Sequence, residues 1–272
     1  MTANHQNIGT QLIGESFPYL FENADKIVFN EGTTEIPLFK SFQSYEKENF
    51  IELLKTLSTL SSLSLARELK TNKKNYFLAE KARIRKVSFT PPSGLLRAKI
   101  RSYLENNQKG KSLIEVVDDK TTVYHMEIDY FIIDEPSFQK IFELNYSAEK
   151  ANGYTDTEPN VSIEPVSKDE FNITVDKFTR NHCAGHFDHY EIVAATHIGR
   201  SILKVIFEMT PDLNMEIDNM EIALSKAMPI DTVFKVNVKI LHLSKTLKKY
   251  ICAVTDDKTL YGYYFCTFKI IP

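Results

Sequence analysis

A short string that recurs once constrains this chain more than its overall composition does. Val116-Val117-Asp118-Asp119-Lys120-Thr121 and Ala253-Val254-Thr255-Asp256-Asp257-Lys258-Thr259 each set Asp-Asp-Lys-Thr between strand-like runs, at an offset of 256 − 118 = 138 residues. Both read as turns. The order around them repeats as well. In the first half a strand over 83–89, Pro92 and a strand over 95–104 precede the turn, and a strand over 123–133 follows it. In the second half the same order runs 220–225, Pro229, 233–243 and then 260–271. A four-letter match alone would be weak, but matched order and spacing on both sides mark a duplication.

Each half reads as one long helix and several antiparallel strands. In the first, short strands fall at 26–29 and 36–42, and the spacing predicts a helix over 45–69. Its apolar positions Phe50, Leu53, Leu54, Leu57, Leu60 and Leu63 follow the three-and-four rhythm of a buried face. Ser44 is placed to cap it, and Glu46 and Glu48 suit the positive end of the helix dipole. The second half repeats this with a strand at 171–175, a histidine-rich segment, a helix over 192–209 and further strands. The polar stretch 147–165, holding Gly153, Pro159 and Pro165, is the natural linker between a first unit at 1–146 and a second at 166–272. The class is α+β. A single long helix per unit is buried only if the sheet curls around it, and two units side by side would merge their sheets and protect the edge strands.

Composition removes several functional classes. A chain of 272 residues with 43% hydrophobic and 25% charged residues is that of a globular domain or pair of domains. A net charge of −3 with no dense Lys/Arg stripe argues against a nucleic-acid partner. No apolar run reaches the length of a membrane span, and the N-terminus lacks a signal peptide's order. Cys183, Cys252 and Cys266 are too few for a disulfide framework. The expectation is a reduced, cytoplasmic protein with no membrane contact.

The chemistry concentrates between Asn181 and Glu191. Four of the seven histidines, His182, His186, His189 and His197, fall within this segment and the start of the following helix. Histidine titrates near neutrality, so such a cluster beside an apolar helix is the candidate site. His182, Gly185, Asp188 and His189 are placed to bind substrate. His197 is expected to pack in the helix, and Cys183 to be an inert buried thiol. His182 and His186, four apart, with Asp188 and His189 are also residue types that a metal accepts. Gly185 makes the span a loop rather than a helical ligand pair, so neither a metal nor another cofactor is expected.

The pattern resembles the hotdog fold and, within it, the β-hydroxyacyl-acyl-carrier-protein dehydratases. Phe17-Pro18-Tyr19-Leu20-Phe21 is similar to that family's P-F-L opening, Asn30-Glu31 to its N-E, and Ile51-Glu52-Leu53-Leu54 to the I-E-A-L of its central helix. The segment 77–89 with Pro92 resembles the strand and proline beyond that helix. Gly185-His186-Phe187 resembles the start of the G-H-F-P-G loop, and 186–200 is also similar to the A-factor synthase family. Departures are clear: Asp188-His189 stands where the family has P-G, and the first half has no histidine near 39–45.

The resemblance implies a fused double hotdog, two long central helices each wrapped by an antiparallel sheet, forming an intramolecular pseudo-dimer that leaves room for a further homodimer. It implies one composite site, His186 as base with Glu52 or Glu191 as acid, acting on acyl thioesters of acyl carrier protein or coenzyme A. An offset of 139 pairs Glu191 with Glu52, whereas alignment through His186 puts Ala194 there. Dehydration of a 3-hydroxyacyl group is the first expectation. A neutral imidazole would take the α-proton, an acid of raised pKa would protonate the hydroxyl, and backbone N–H groups near 188–191 would polarise the carbonyl. Thioester hydrolysis or acyl transfer is the alternative on the same fold, and a silent acyl-binding or scaffold protein is the alternative outside enzymes.

Overall fold

A computed structural model describes residues 11–17, 19, 27–30, 33–38, 45–88, 92, 95–118, 121–149, 151, 153–155, 157–187, 189–211 and 213–271. Strands β1 (Val28–Asn30) and β2 (Thr33–Pro37) precede helix α1 (Phe50–Glu68). Four strands follow, β3 (Asn75–Lys86), β4 (Arg97–Asn106), β5 (Lys109–Val117) and β6 (Thr122–Asp134), then a short helix α2 (Glu135–Ile141). The second half supplies β7 (Val161–Ser167), β8 (Glu170–Val175), the two-residue β9 (Ile192–Val193) and helix α3 (Ala195–Glu208). It ends with β10 (Met215–Leu224), the two-residue β11 (Met228–Pro229), β12 (Phe234–His242), β13 (Leu247–Thr255) and β14 (Leu260–Ile270). Apart from β9 and β11, which pair with each other, the strands form one antiparallel sheet of twelve.

Across that sheet the order is β1-β2-β4-β5-β6-β3-β10-β14-β13-β12-β8-β7, so each half has the same order counted outward from the seam between β3 and β10. The sequence offset runs through it. Adding 138 to β5 gives 247–255, the bounds of β13. At the seam Arg83 stands opposite Glu221, and 221 − 83 = 138, so a residue faces its own repeat equivalent. Identical charges there would repel across the strands. Instead Arg83 pairs with Glu221 at 2.8 Å, and Lys81 reaches the same carboxylate at 2.9 Å. The two Asp-Asp-Lys-Thr turns close alike: Thr121 N–H donates to Asp118 Oδ1 at 2.6 Å, and Thr259 N–H to Asp256 Oδ1 at 2.7 Å.

The strands alternate as a one-sided sheet requires. In β5, Gly110, Ser112, Ile114 and Val116 point inward, while Lys109, Leu113 and Glu115 face solvent. The inner face carries α1, whose Leu53, Leu57 and Leu60 are fully buried in a core that is continuous across both halves. α1 and α3 approach where Gly199 lies against Ile51, a gap that a Cβ would narrow to 2.8 Å. Each helix is tied to the sheet by a buried tyrosine. Tyr130 of β6 donates to the Ser58 carbonyl at 3.0 Å, and Tyr264 of β14 to the Ala195 carbonyl at 2.7 Å.

Several sequence expectations shift. The first helix starts at Phe50 rather than 45, because Lys47 takes a left-handed φ of 54° and the chain enters through a 3-10 turn at Lys47–Asn49. Ser44 and the stretch 39–44 lie outside the described residues. The second helix starts at Ala195 rather than 192, since Ile192 and Val193 pair with Pro229 and Met228. The stretch 147–165 is not wholly a connector: its end forms the start of β7 on the sheet edge. Among the described residues no helix is long and apolar enough to cross a membrane, and the three cysteines are free and buried.

Replacing Tyr130 with Phe removes a buried hydroxyl that also contacts Ser61 Oγ at 2.6 Å. We expect Tyr130→Phe to lose about 1–2 kcal/mol, read as a lower urea midpoint at unchanged m-value.

Candidate active site

The residues nominated from sequence separate into distinct surroundings. His182 closes the 3-10 turn Arg180–Cys183: its Nδ1 accepts from the Thr179 N–H at 3.0 Å, and its Nε2 lies 2.8 Å from the Thr157 carbonyl. Both ring nitrogens are therefore spent on structure, which also removes His182 from any metal set. Glu191 is paired with Arg180, which also holds Glu149 at 2.6 Å. Glu52, in the first turn of α1, is paired with Arg200 of α3. His189 takes a left-handed φ of 70° and lies beside Tyr146. With Gly185, Arg180 and Glu191 it lines a separate cleft of about 560 Å³ on the far side of the loop. Asp188 lies outside the described residues. His197 is buried on α3, with its ring 6.2 Å from that of His182. Burial pushes the Cys183 thiol up to about 12, which leaves it inert.

His186 is in a different position. It lines a cavity of about 380 Å³ between the halves, within the size range of ligand sites. The walls are largely apolar: Phe77, Leu78, Phe131 and Phe142 from the first half, and Phe187, Ile192 and Val193 from the second. Phe187 is fixed by an aromatic cluster, 5.3 Å from Phe138 and 5.5 Å from Tyr76, and that anchors the loop beside His186. The His186 Nδ1 lies 3.1 Å from the Ile192 carbonyl. A carbonyl can only accept, so the proton sits on Nδ1 and Nε2 keeps its lone pair.

The group that joins His186 is one the sequence reading did not nominate. Glu15, only 6% exposed, lines the same cavity together with Tyr19 and Ser58. Its backbone forms an antiparallel bridge with His186, and the next N–H, of Ser16, donates to the Gly185 carbonyl at 2.8 Å. Gly14 makes this approach feasible. Its φ is 73°, and a Cβ there would stand 2.5 Å from Tyr76 Cε1. The Tyr19 ring packs 4.7 Å from the His186 ring.

Electrostatics divide the two groups. Burial pushes the Glu15 carboxyl up to about 7, opposed by the Thr59 hydroxyl and the Lys55 ammonium. Burial takes the His186 imidazole down to about 4; its bond to Ile192 opposes this and Lys55 adds to it. At neutral pH the histidine is uncharged and the carboxyl is half ionised. Val193, Ala194, Ala195 and Thr196 line the cavity at the start of α3, whose N-cap Ala194 supplies no side-chain acceptor. First-turn amides without a side-chain partner at a helix N-terminus are donors for developing negative charge. They belong to Ala195 and Thr196, not to residues 188–191 as the sequence suggested.

No protein-family model matches the chain, and no curated protein does. Solved structures do. A protein described as a thioesterase from Novosphingobium aromaticivorans superposes with a TM-score of 0.55 over 91% of this chain and 99% of its own, at 10% identity. The 12:0-ACP thioesterase from Umbellularia californica gives 0.54 over 90% and 100%, at 7% identity. A conserved protein of unknown function with a hot dog fold from Alicyclobacillus acidocaldarius gives 0.50 over 90% and 96%, at 8% identity. The chain has the hotdog fold.

Within this hotdog the Glu52–Arg200 pair locks the helices where they meet and stands apart from the cavity walls. Arg200 also lies 3.9 Å from Glu158, which keeps Lys204 at 3.7 Å, so its loss would take the close partner from Glu52 and one of two cations from Glu158. Arg200→Leu is expected to cost roughly 3 kcal/mol, and adding Glu52→Leu should recover part of it, read by denaturant unfolding of the single and double variants.

Proposed function

We propose that this chain is an acyl-thioester hydrolase built as two fused hotdog units, 1–146 and 166–272 joined through the intervening stretch, with one composite site between them. The observation that carries the reading is the placement of Glu15 and His186 on one largely apolar cavity beside the uncapped N-terminus of α3. The carboxylates that dehydration would have used, Glu52 and Glu191, are both engaged by arginines. The Umbellularia 12:0-ACP thioesterase and its like among the fold's relatives add support for hydrolysis over dehydration. The carrier is acyl carrier protein or coenzyme A.

The chemistry balances without a cofactor. An acyl chain lies against the Phe77, Phe131 and Phe142 wall, with its thioester carbonyl toward the first turn of α3. The Glu15 carboxylate takes a proton from water as the water oxygen bonds to the carbonyl carbon. The Ala195 and Thr196 amides hold the oxyanion. When it collapses the C–S bond breaks, and the proton held on Glu15 passes to the departing thiolate. His186, neutral and with Nε2 as acceptor, orients the water or shares its proton. Its role requires the imidazole form, which burial secures.

Two outcomes follow. Glu15→Gln should lower kcat for thiol release by about 10²–10⁴-fold with little change in stability, while Glu52→Gln should leave kcat within a few-fold. The wild-type rate should rise with pH through about 7, because the carboxylate form is the base, and then stay level. His186 adds no limb there, since it is already uncharged well below that range. A falling rate through pH 7, or full activity in Glu15→Gln, would sink the assignment.

A further inference from the structure

We infer that Lys55 of α1 is a positioning residue for the Glu15–His186 pair, clamping Tyr19 against His186 and setting a positive charge beside both groups. The activity part of this rests on the hydrolase reading; the structural and titration parts do not.

Lys55 Nζ stands 4.8 Å from the centre of the Tyr19 ring and 5.4 Å from that of Tyr154. Both are cation–π distances. The Tyr19 ring is itself 4.7 Å from the His186 imidazole. The ammonium thus contacts the phenol ring, and the phenol ring meets the imidazole at a tilt of 46°. This arrangement joins the long helix of the first half to the loop of the second, with the segment that carries Glu15 held between them. Tyr154 brings in the connector as a third piece of chain. Cation–π attraction falls away quickly as the ring moves off, so the arrangement fixes Tyr19, and with it the Glu15 segment, in one place.

The same charge acts in one direction on every titratable neighbour. A cation favours a carboxylate and disfavours an imidazolium. Lys55 lowers Glu15, His186 and His197 alike. The other groups facing the pair are Tyr19 from the N-terminal segment, which Tyr154 of the connector faces in turn, Tyr130 from β6, and His197 from the second half. Burial keeps Tyr19 and Tyr130 as neutral phenols, the second at about 12, and His197 as a neutral imidazole, down to about 3. Among these groups Lys55 is the one that brings positive charge to the pair at neutral pH. A neutral histidine next to an ionised carboxylate is the division of protons the proposed hydrolysis needs, and the Lys55 ammonium favours it from outside the cavity lining.

The test is a substrate-free titration. The Glu15 side-chain carbon, labelled with 13C and assigned by its loss in Glu15→Gln, is followed by NMR against pH in wild type, Lys55→Met and Lys55→Arg. We expect the midpoint near 7 in wild type to rise to roughly 8 or above in Lys55→Met and to return in Lys55→Arg. The rising limb of the thiol-release profile should move by the same amount. An unmoved Glu15 midpoint in folded Lys55→Met overturns the inference, and Lys55→Gln gives the same comparison if the Met variant does not fold. Absence of thiol release from wild type would instead count against the hydrolase reading, and the titration would still decide the role of Lys55.

Discussion

The antiparallel pairing of β3 with β10 is the interaction on which the rest of the molecule depends. Either half alone would end in a long strand with open N–H and C=O groups, the edge that proteins avoid leaving bare. Pairing the two edges makes a single sheet and brings α1 and α3 together on its inner face, where Gly199 meets Ile51. It also explains a charge reversal within a duplicated sequence. At the point where a residue meets its own equivalent, the chain carries Arg83 in one copy and Glu221 in the other. A duplication that had kept the same charge there would have worked against its own seam.

The site is a product of the same asymmetry. The two halves related by the 138-residue offset contribute different residues to the cavity. The second half supplies His186 and an α3 N-terminus that opens on the cavity; the first supplies Glu15, Ser58 and Lys55. Meanwhile the carboxylate of α1 that might have served, Glu52, has become one half of a helix-to-helix ion pair. Aromatic side chains of both halves line the cavity, and burial moves the Glu15 carboxyl up and the His186 imidazole down. Packing, charge and the proposed chemistry are therefore one problem in this protein, because the groups proposed to react are those that burial has moved away from their ordinary pKa.

Much of the fold was legible in the sequence. The repeated Asp-Asp-Lys-Thr turns gave the offset, which relates β3 to β10 and β5 to β13 as equivalent strands, while the pairing of β3 with β10 is seen only in the structure. The apolar rhythm of Leu53, Leu57 and Leu60 marked a buried helix. Helix starts were harder, because left-handed Lys47 and the β9–β11 pair are set by tertiary contacts that no local pattern records. In the site, His186 stood out through its cluster and through Gly185-His186-Phe187. Its carboxylate partner did not. A Glu in a polar N-terminal stretch reads as solvated, and nothing local says that Gly14 lets it fold against Tyr76 and under the loop. The nearest signal was the opening Phe17-Pro18-Tyr19, which marked the segment but not the residue. His182 and Glu191 differ in the opposite way: their types suit catalysis, and only the structure shows that they are engaged by Thr157 and Arg180.

Product analysis on a 3-hydroxyacyl thioester tests the central claim most directly, because one substrate permits both reactions of this fold. Free thiol and the conjugated enoyl thioester are measured in the same reaction. Hydrolysis through Glu15 and His186 predicts thiol released at the rate of substrate loss, with no enoyl product and the same behaviour from a saturated acyl thioester. Enoyl thioester accumulating without thiol, and a saturated substrate left untouched, would contradict it.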